Sequence, residues 1–176
     1  MITFAAVILF LVTVQRLAEL VWAKRNMRRL MAKGAREEAP GHYPLIVMVH
    51  AGWLIDLWWL AWDAPVNLFW LFVFIVLQLL RVWVLATLGE RWTTKIVVLP
   101  GAERITAGPY KFLNHPNYVV VIGEIAVLPL AFGLWWFALL FSVLNAIVLY
   151  IRIRAENTAL EDAYAGAGSP EDGPAG

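Results

Sequence analysis

Long apolar stretches, separated by polar and mostly basic connections, dominate the chain. Ile2 to Trp22 is the first; it is uncharged as far as Val14 and carries Gln15, Arg16 and Glu19 at its inner end. Pro44 to Trp62 is the second, with His50 and Asp56 inside, and Leu68 to Leu88 is the third, with Gln78 and Arg81 inside. A helix needs about 20 mostly apolar residues to cross a bilayer core of roughly 30 Å, so each stretch predicts a span. Asp63-Ala64-Pro65-Val66-Asn67 predicts a turn, because Pro and Asn punctuate helices. After a polar stretch from Gly89 to Asn117, Tyr118 to Tyr150 is apolar almost throughout, broken near Pro129 and Gly133. That is too long for one ordinary span and short for two. It reads as a tight helical hairpin, spans four and five, whose helices extend into the flanking polar residues. A re-entrant hairpin that never reaches the far side is the competing reading. The expected fold is an all-α integral membrane protein of about five transmembrane helices. Residues 1–165 form its membrane-embedded domain. The tail from Gly166 to Gly176 is Gly, Pro, Ser and acid; it cannot bury apolar area and is expected to be disordered.

Composition sharpens this reading. Apolar residues make up 61% of 176 residues, against about 45–50% in an ordinary soluble domain. A chain this short cannot hide the excess in one core, so a soluble monomer is close to excluded. There is no cysteine, which excludes a disulfide scaffold, Cys-based zinc sites and thiol catalysis. The net charge of +1 points to no nucleic-acid partner. Ten Trp suit membrane interfaces. The first span is not expected to be a cleaved signal peptide, since no basic segment precedes it and no small-residue cleavage site follows.

Lys and Arg set the orientation. Lys24, Arg25, Arg28, Arg29, Lys33 and Arg36 follow the first span, Arg91, Lys95, Arg104 and Lys111 follow the third, and Arg152 and Arg154 follow the fifth. The other two connections hold none. The positive-inside rule then puts the amino terminus outside and the carboxyl terminus in the cytoplasm. The basic run after the first span is explained by topology and contact with anionic lipid.

Two polar clusters carry the candidate chemistry. Gly108-Pro109 predicts a turn, and Pro116 fits the first turn of a helix, where its missing N–H costs nothing. His115-Pro116-Asn117-Tyr118 therefore sits at the amino-terminal mouth of span four, where free N–H groups and the positive helix end suit an anionic ligand group. His115 and Tyr118 share a face at i and i+3. A plain helix start with interfacial aromatics would look the same. At the end of span five, Arg152 and Glu156 are i and i+4, and Asn145 lies two turns before Arg152 on that face. A surface salt bridge closing a membrane helix is the plainer account of this stripe. A tight hairpin brings both clusters to one cytoplasmic mouth. Deeper in, Asp56, Arg81 and Glu124 are functional candidates by position, although a Glu124–Arg81 pair linking spans three and four would satisfy both charges. His50 and Asp56 share no helical face, and no metal site is expected. No dinucleotide fingerprint, P-loop, zinc-protease motif or nucleophile elbow is present.

Taken together, Thr106, Gly108 and Tyr110, then His115-Pro116-Asn117-Tyr118, a hairpin, and Arg152-Ile153, Glu156 and Leu160 resemble the isoprenylcysteine carboxyl methyltransferase family of integral membrane enzymes. The resemblance covers roughly residues 85–164, which it marks as the catalytic part. Asn114 stands where the family pattern has Arg before His-Pro, and Asn157 where it has a second Glu. The family implies S-adenosyl-L-methionine as methyl donor. The residues matching its cofactor site are Lys95, Ala102, Glu103, Arg104, Ile105, Tyr110, His115, Pro116, Asn117, Tyr118 and Glu156. Arg152 and Glu156 are the catalytic candidates; Arg152 matches the position that meets the substrate's acidic group, and Asn145 joins it as a substrate-side candidate by its place on the same helical face. The His-Pro-Asn-Tyr form looks most like a bacterial branch associated with O-methylation of long-chain pyrones or phenols made by type III polyketide synthases.

The implied function is a membrane O-methyltransferase acting on a carboxylate or a phenol or pyrone hydroxyl of a lipophilic small molecule. Its partners are that substrate and membrane lipid, with no nucleic acid and no metal. Two other readings stay open: an NADPH-dependent enzyme of the sterol-reductase kind on the same architecture, and a non-enzymatic membrane scaffold.

Overall fold

The computed structural model describes residues 2–38, 41, 43–103 and 105–167, with side chains described as far as residue 158. Five helices carry the structure: α1 (Phe4–Ala32), α2 (Tyr43–Ala61), α3 (Leu68–Leu88), α4 (Pro116–Ala131) and α5 (Trp135–Ala167). Two short strands, β1 (Arg36–Glu37) and β2 (Val97–Val98), pair antiparallel with Arg36 opposite Val98. They are an addition to the expected all-α fold. Neither is long enough to show an alternating pattern in the sequence.

Local chemistry sets the helix ends. The Thr3 hydroxyl accepts from the Ala6 N–H to start α1, and Asn67 accepts from the N–H groups of Phe69 and Trp70 to start α3. Helix α1 continues ten residues past the predicted end of its span, because the basic segment is built from good helix formers such as Arg, Lys, Met, Leu and Ala. The α4–α5 turn falls where Pro129 and Gly133 predicted it. The Pro129 carbonyl accepts from Leu134, and Gly133 takes φ 73°, a conformation other residues rarely adopt. Helix α5 still includes Gly166 and Ala167, the first residues of the expected tail; the remainder of that tail lies outside the described residues.

Among the described residues, four helices are long and apolar enough to cross a membrane: Phe4–Ala32, Tyr43–Ala61, Leu68–Arg91 and Trp135–Thr158. Helix α4, expected as a fifth span, is a shorter apolar helix of 16 residues. Its last turn nevertheless meets the α2–α3 turn, where the Asn67 N–H donates to the Ala131 carbonyl at 2.8 Å. The Thr3 hydroxyl donates to the Trp62 carbonyl at the same end. The strand pair, the 89–114 segment and the start of α4 gather at the opposite end.

Helix α4 packs between α3 and α5, and Leu9, Leu57, Leu128 and Phe137, from four different helices, are fully buried where the helices meet. Gly123 lets α3 approach α4 closely: a Cβ there would lie 2.8 Å from Leu77 Cδ2. Lipid tails are as apolar as a leucine side chain, so close packing and polar contacts must hold such helices together. A buried network supplies the polar contacts. The predicted Arg81–Glu124 pair is present at 3.0 Å, and Arg81 also grips Glu19 of α1 through Nε at 2.6 Å and Nη2 at 2.5 Å. Arg16 reaches Glu124 at 2.7 Å and Glu19 at 3.3 Å. Gln78 donates to Glu124, and Gln15 to Gln78 and Glu19. Two guanidinium and two carboxylate groups cancel, which is how charge survives in a low-dielectric interior. Asp56, by contrast, is exposed on the outer face of α2.

Candidate functional site

The start of α4 and the later turns of α5 meet at one end of the molecule. Pro116 opens α4, with His115 as the residue before it. The His115 ring stacks on the Tyr118 ring, their centroids 5.2 Å apart. The Tyr118 hydroxyl donates to Glu156 Oε2 and accepts from Arg152 Nε at 2.8 Å. Arg152 Nη1 donates to the Thr94 carbonyl at 2.8 Å, and its guanidinium lies 5.8 Å from the Tyr118 ring centroid. Arg152 Nη2 has no protein partner among the described residues. One face of α5 thus presents a cation and an anion bridged by a single phenol.

A cavity of about 470 Å³ opens on this group. His115, Asn117 and Tyr118 of α4 and Arg152 and Glu156 of α5 line it. Lys95, Ala102, Glu103, Ile105 and Tyr110 line its other walls, so the cavity gathers residues the motifs singled out from three segments of the chain. Pro116 is buried beneath the wall, where it starts the helix. Arg104 lies outside the described residues.

Several residues of the cavity were not legible in the sequence. Val97 and Val98 of β2 roof it, and β1 holds the roof from the other side through Lys95 Nζ to Glu37 Oε1 at 2.7 Å. Asn26 of α1, nearly fully buried, donates to the carbonyls of Gly89 and Trp92 and so fixes the turn that leads into Trp92, Thr93 and Thr94. Gly108 holds the turn before Tyr110 at φ +56°, tight against Thr87 and Trp83. Burial, and then the Glu156 charge, push the Tyr110 phenol up to about 12, which keeps it a hydrogen-bond donor.

A second cavity, of about 310 Å³, lies deeper between α1, α2 and α4. Its walls are largely apolar, with Leu20, Ile46, Trp53, Leu54 and Val121 among them, and the Arg16–Glu19–Arg81–Glu124 network lies along one side. Leu17 and Val47, which also line it, are 58% and 43% exposed on the apolar outer surface, so this cavity opens toward that surface between α1 and α2. Trp92, Thr93, Asn117, Tyr118 and Arg152 border both cavities and form their common wall.

The polar stripe expected on α5 divides. Arg152 and Glu156 stand in the cavity wall. Asn145, 1% exposed, borders neither cavity and instead meets His50 Nε2 of α2 at 3.2 Å through Oδ1. The signal for that contact was the presence of both residues deep in apolar spans, but nothing in the spacing says that α2 packs on α5.

The model of the isoprenylcysteine carboxyl methyltransferase (ICMT) family matches residues 70–162. Uncharacterized protein YpbQ of Bacillus subtilis is 39% identical over 162 residues, covering 85% of this chain and 92% of the relative. An uncharacterized protein of Haemophilus influenzae is 30% identical over 83 residues, 47% of this chain and 48% of its own. No solved structure matches. With its apolar helices and its match across the segment that builds the polar cavity, the chain belongs to the isoprenylcysteine carboxyl methyltransferase family of membrane methyltransferases.

Proposed function

We propose that the chain is an S-adenosyl-L-methionine-dependent O-methyltransferase that methylates an acidic oxygen of a lipophilic small molecule. The observation that carries this reading is the common wall: a cavity walled in part by charged side chains and a more apolar cavity, open between α1 and α2, meet at Tyr118 and Arg152. A reaction between a water-soluble donor and a lipid acceptor needs such a meeting point.

The residues present fit the donor. The larger cavity falls within the size range of small-molecule sites, about 300–1,000 Å³. Glu156 offers an anion to a cationic ligand, while Lys95 and the start of α4 suit a carboxylate. Asn117 Oδ1, on the common wall, has no hydrogen-bond partner among the described residues and suits a ligand bearing N–H or O–H donors. Bound there, S-adenosyl-L-methionine would supply an electrophilic methyl group on a sulfonium.

The protein's own contribution is positioning and electrostatics. Arg152 Nη2 is left to hold the acceptor oxygen in its anionic form. Tyr118 fixes the Arg152 guanidinium and the Glu156 carboxylate relative to each other, which orients acceptor and donor. The apolar wall of the deeper cavity keeps water from the anion. In this reading α4 serves as a fifth span, the amino terminus is outside, and the polar cavity opens to the cytoplasm across the inner membrane. The acceptor enters from lipid between α1 and α2.

Purified protein incubated with labelled S-adenosyl-L-methionine and a lipid extract of the source cell tests the proposal. Label is expected in a lipid-soluble product that is lost with Arg152→Ala. Binding of S-adenosyl-L-methionine without label transfer to any lipid fraction would reject a lipid acceptor. Absence of binding would reject the donor.

A further inference from the structure

The apolar cavity holds a polar station that methyl transfer at Arg152 does not use. His50 lines the cavity wall, and its Nε2 is paired with the buried Asn145 Oδ1 at 3.2 Å. With Nε2 donating to that oxygen, Nδ1 keeps a free lone pair, and no described residue bonds to it. Two independent registers place this group in depth. On α2, Tyr43 meets Thr94 at the mouth, and His50 lies seven residues further along the helix. On α5, Asn145 lies seven residues from Arg152. Seven helical residues rise roughly 10 Å. Both helices therefore set the His50–Asn145 layer about 10 Å beneath the Arg152–Tyr118 layer, too far for His50 to touch the oxygen being methylated.

His50 is half-buried in the wall of that cavity, and an imidazole nitrogen without a partner in an apolar surround is costly unless a ligand satisfies it. Ile46, Val47, Leu54, Val121 and Leu149 line the same cavity. Arg16, Arg81 and Glu124 border the same space but are committed to one another and to Glu19. We propose that His50, held by Asn145, is a specificity site for a second hydroxyl on the acceptor, about 10 Å from the oxygen that receives the methyl group. A hydroxyl both donates and accepts, so it satisfies the imidazole in either tautomer. This proposal rests on the acceptor occupying the apolar cavity with its acidic oxygen at Arg152.

The test uses the full chain in detergent. Dodecanoic acids carrying one hydroxyl at successive carbons are compared with the unsubstituted acid. Equilibrium binding is read by competition against a fluorescent fatty acid, and methyl transfer by label from S-adenosyl-L-methionine. One position in the distal half of the chain is expected to bind about tenfold more tightly than its neighbours. His50→Phe, which keeps a ring of similar size without its nitrogens, is expected to erase that preference, and His50→Gln to restore part of it. The preference is a ratio within one preparation and does not depend on the fraction folded. A flat positional profile in the native protein, or a preference that survives His50→Phe, overturns the proposal. Positional binding without methyl transfer upholds the His50 site and removes the transferase reading; methyl transfer with a flat profile does the opposite.

Discussion

Arg152 and Tyr118 are joined twice: Nε donates to the phenol oxygen at 2.8 Å, and the guanidinium lies 5.8 Å from the ring centroid. The ring contact survives in Tyr118→Phe, but the hydroxyl that links Arg152 to Glu156 is lost. Hydrogen bonds to charged groups contribute about 1.5–3 kcal/mol each. Tyr118→Phe is expected to lower kcat/KM for methyl transfer by about 10- to 100-fold in steady-state assays.

Arg152→Ala is expected to abolish turnover while changing cofactor affinity much less, because its Nη2, without a partner among the described residues, is assigned in the proposed reading to the acceptor. Calorimetric titration of S-adenosyl-L-methionine alongside the transfer assay checks this. An equal loss of both would move Arg152 to the donor side of the wall.

A Cβ on Gly108 would stand 2.6 Å from Thr87 Oγ1 and 3.3 Å from Trp83 Nε1, on a backbone at φ +56°. Gly108→Ala is expected to cost about 1–3 kcal/mol and to weaken cofactor binding by shifting the turn that carries Tyr110. Thr87→Ala in the same chain is expected to recover part of the loss, since it relieves the contact but not the backbone strain. Thermal unfolding in detergent and cofactor titration read the two effects.

Glu124→Gln leaves Arg16 and Arg81 with Glu19 as the remaining carboxylate of the buried network. Breaking such a network from one side costs about 3–5 kcal/mol, because a charge is left uncompensated. Pairing it with Arg16→Gln restores neutrality. The double variant is expected to melt above the Glu124→Gln single variant, a non-additivity that a double-mutant cycle measures.

Tyr110 makes stability depend on alkaline pH. The folded chain keeps until about 12 a proton that the unfolded chain releases near 10. Its contribution is therefore complete below pH 10 and is lost as pH rises from 10 to 12. Melting temperatures across that window are expected to fall less steeply in Tyr110→Phe than in the native protein.

The membrane helices were legible because period and length alone decide them: α3 runs from Leu68 to Leu88, as the apolar run predicts. The Arg81–Glu124 pair was legible because two opposite charges in neighbouring apolar helices have few alternatives. The part played by Arg16 and Glu19 was hidden, since they sit at the end of a span where exposed charge is ordinary. The hairpin motifs pointed to His115, Tyr118, Arg152 and Glu156, and the Tyr118 phenol and the shared cavity bring these four together. The roof was not legible. Arg36–Glu37 and Val97–Val98 are too short to carry a strand signal, and they are brought together only by the packing of α1 against the turn after α3. His50 and Asn145 looked like isolated polar residues because their contact depends on which helices are neighbours.

The apolar cavity takes one side from α1 and α2, which precede residue 70, whereas the polar cavity draws nearly all of its wall from residues 88 onward. In the proposed reading, donor and acceptor thus answer mainly to different stretches of the gene. In the proposed reading, drift at the cavity-lining positions of the first two helices, Asn26 and Leu30 of α1 apart, retailors which lipid is admitted and leaves the donor's seat largely in place. A lineage that keeps the family signature can therefore change its clientele without reinventing its chemistry.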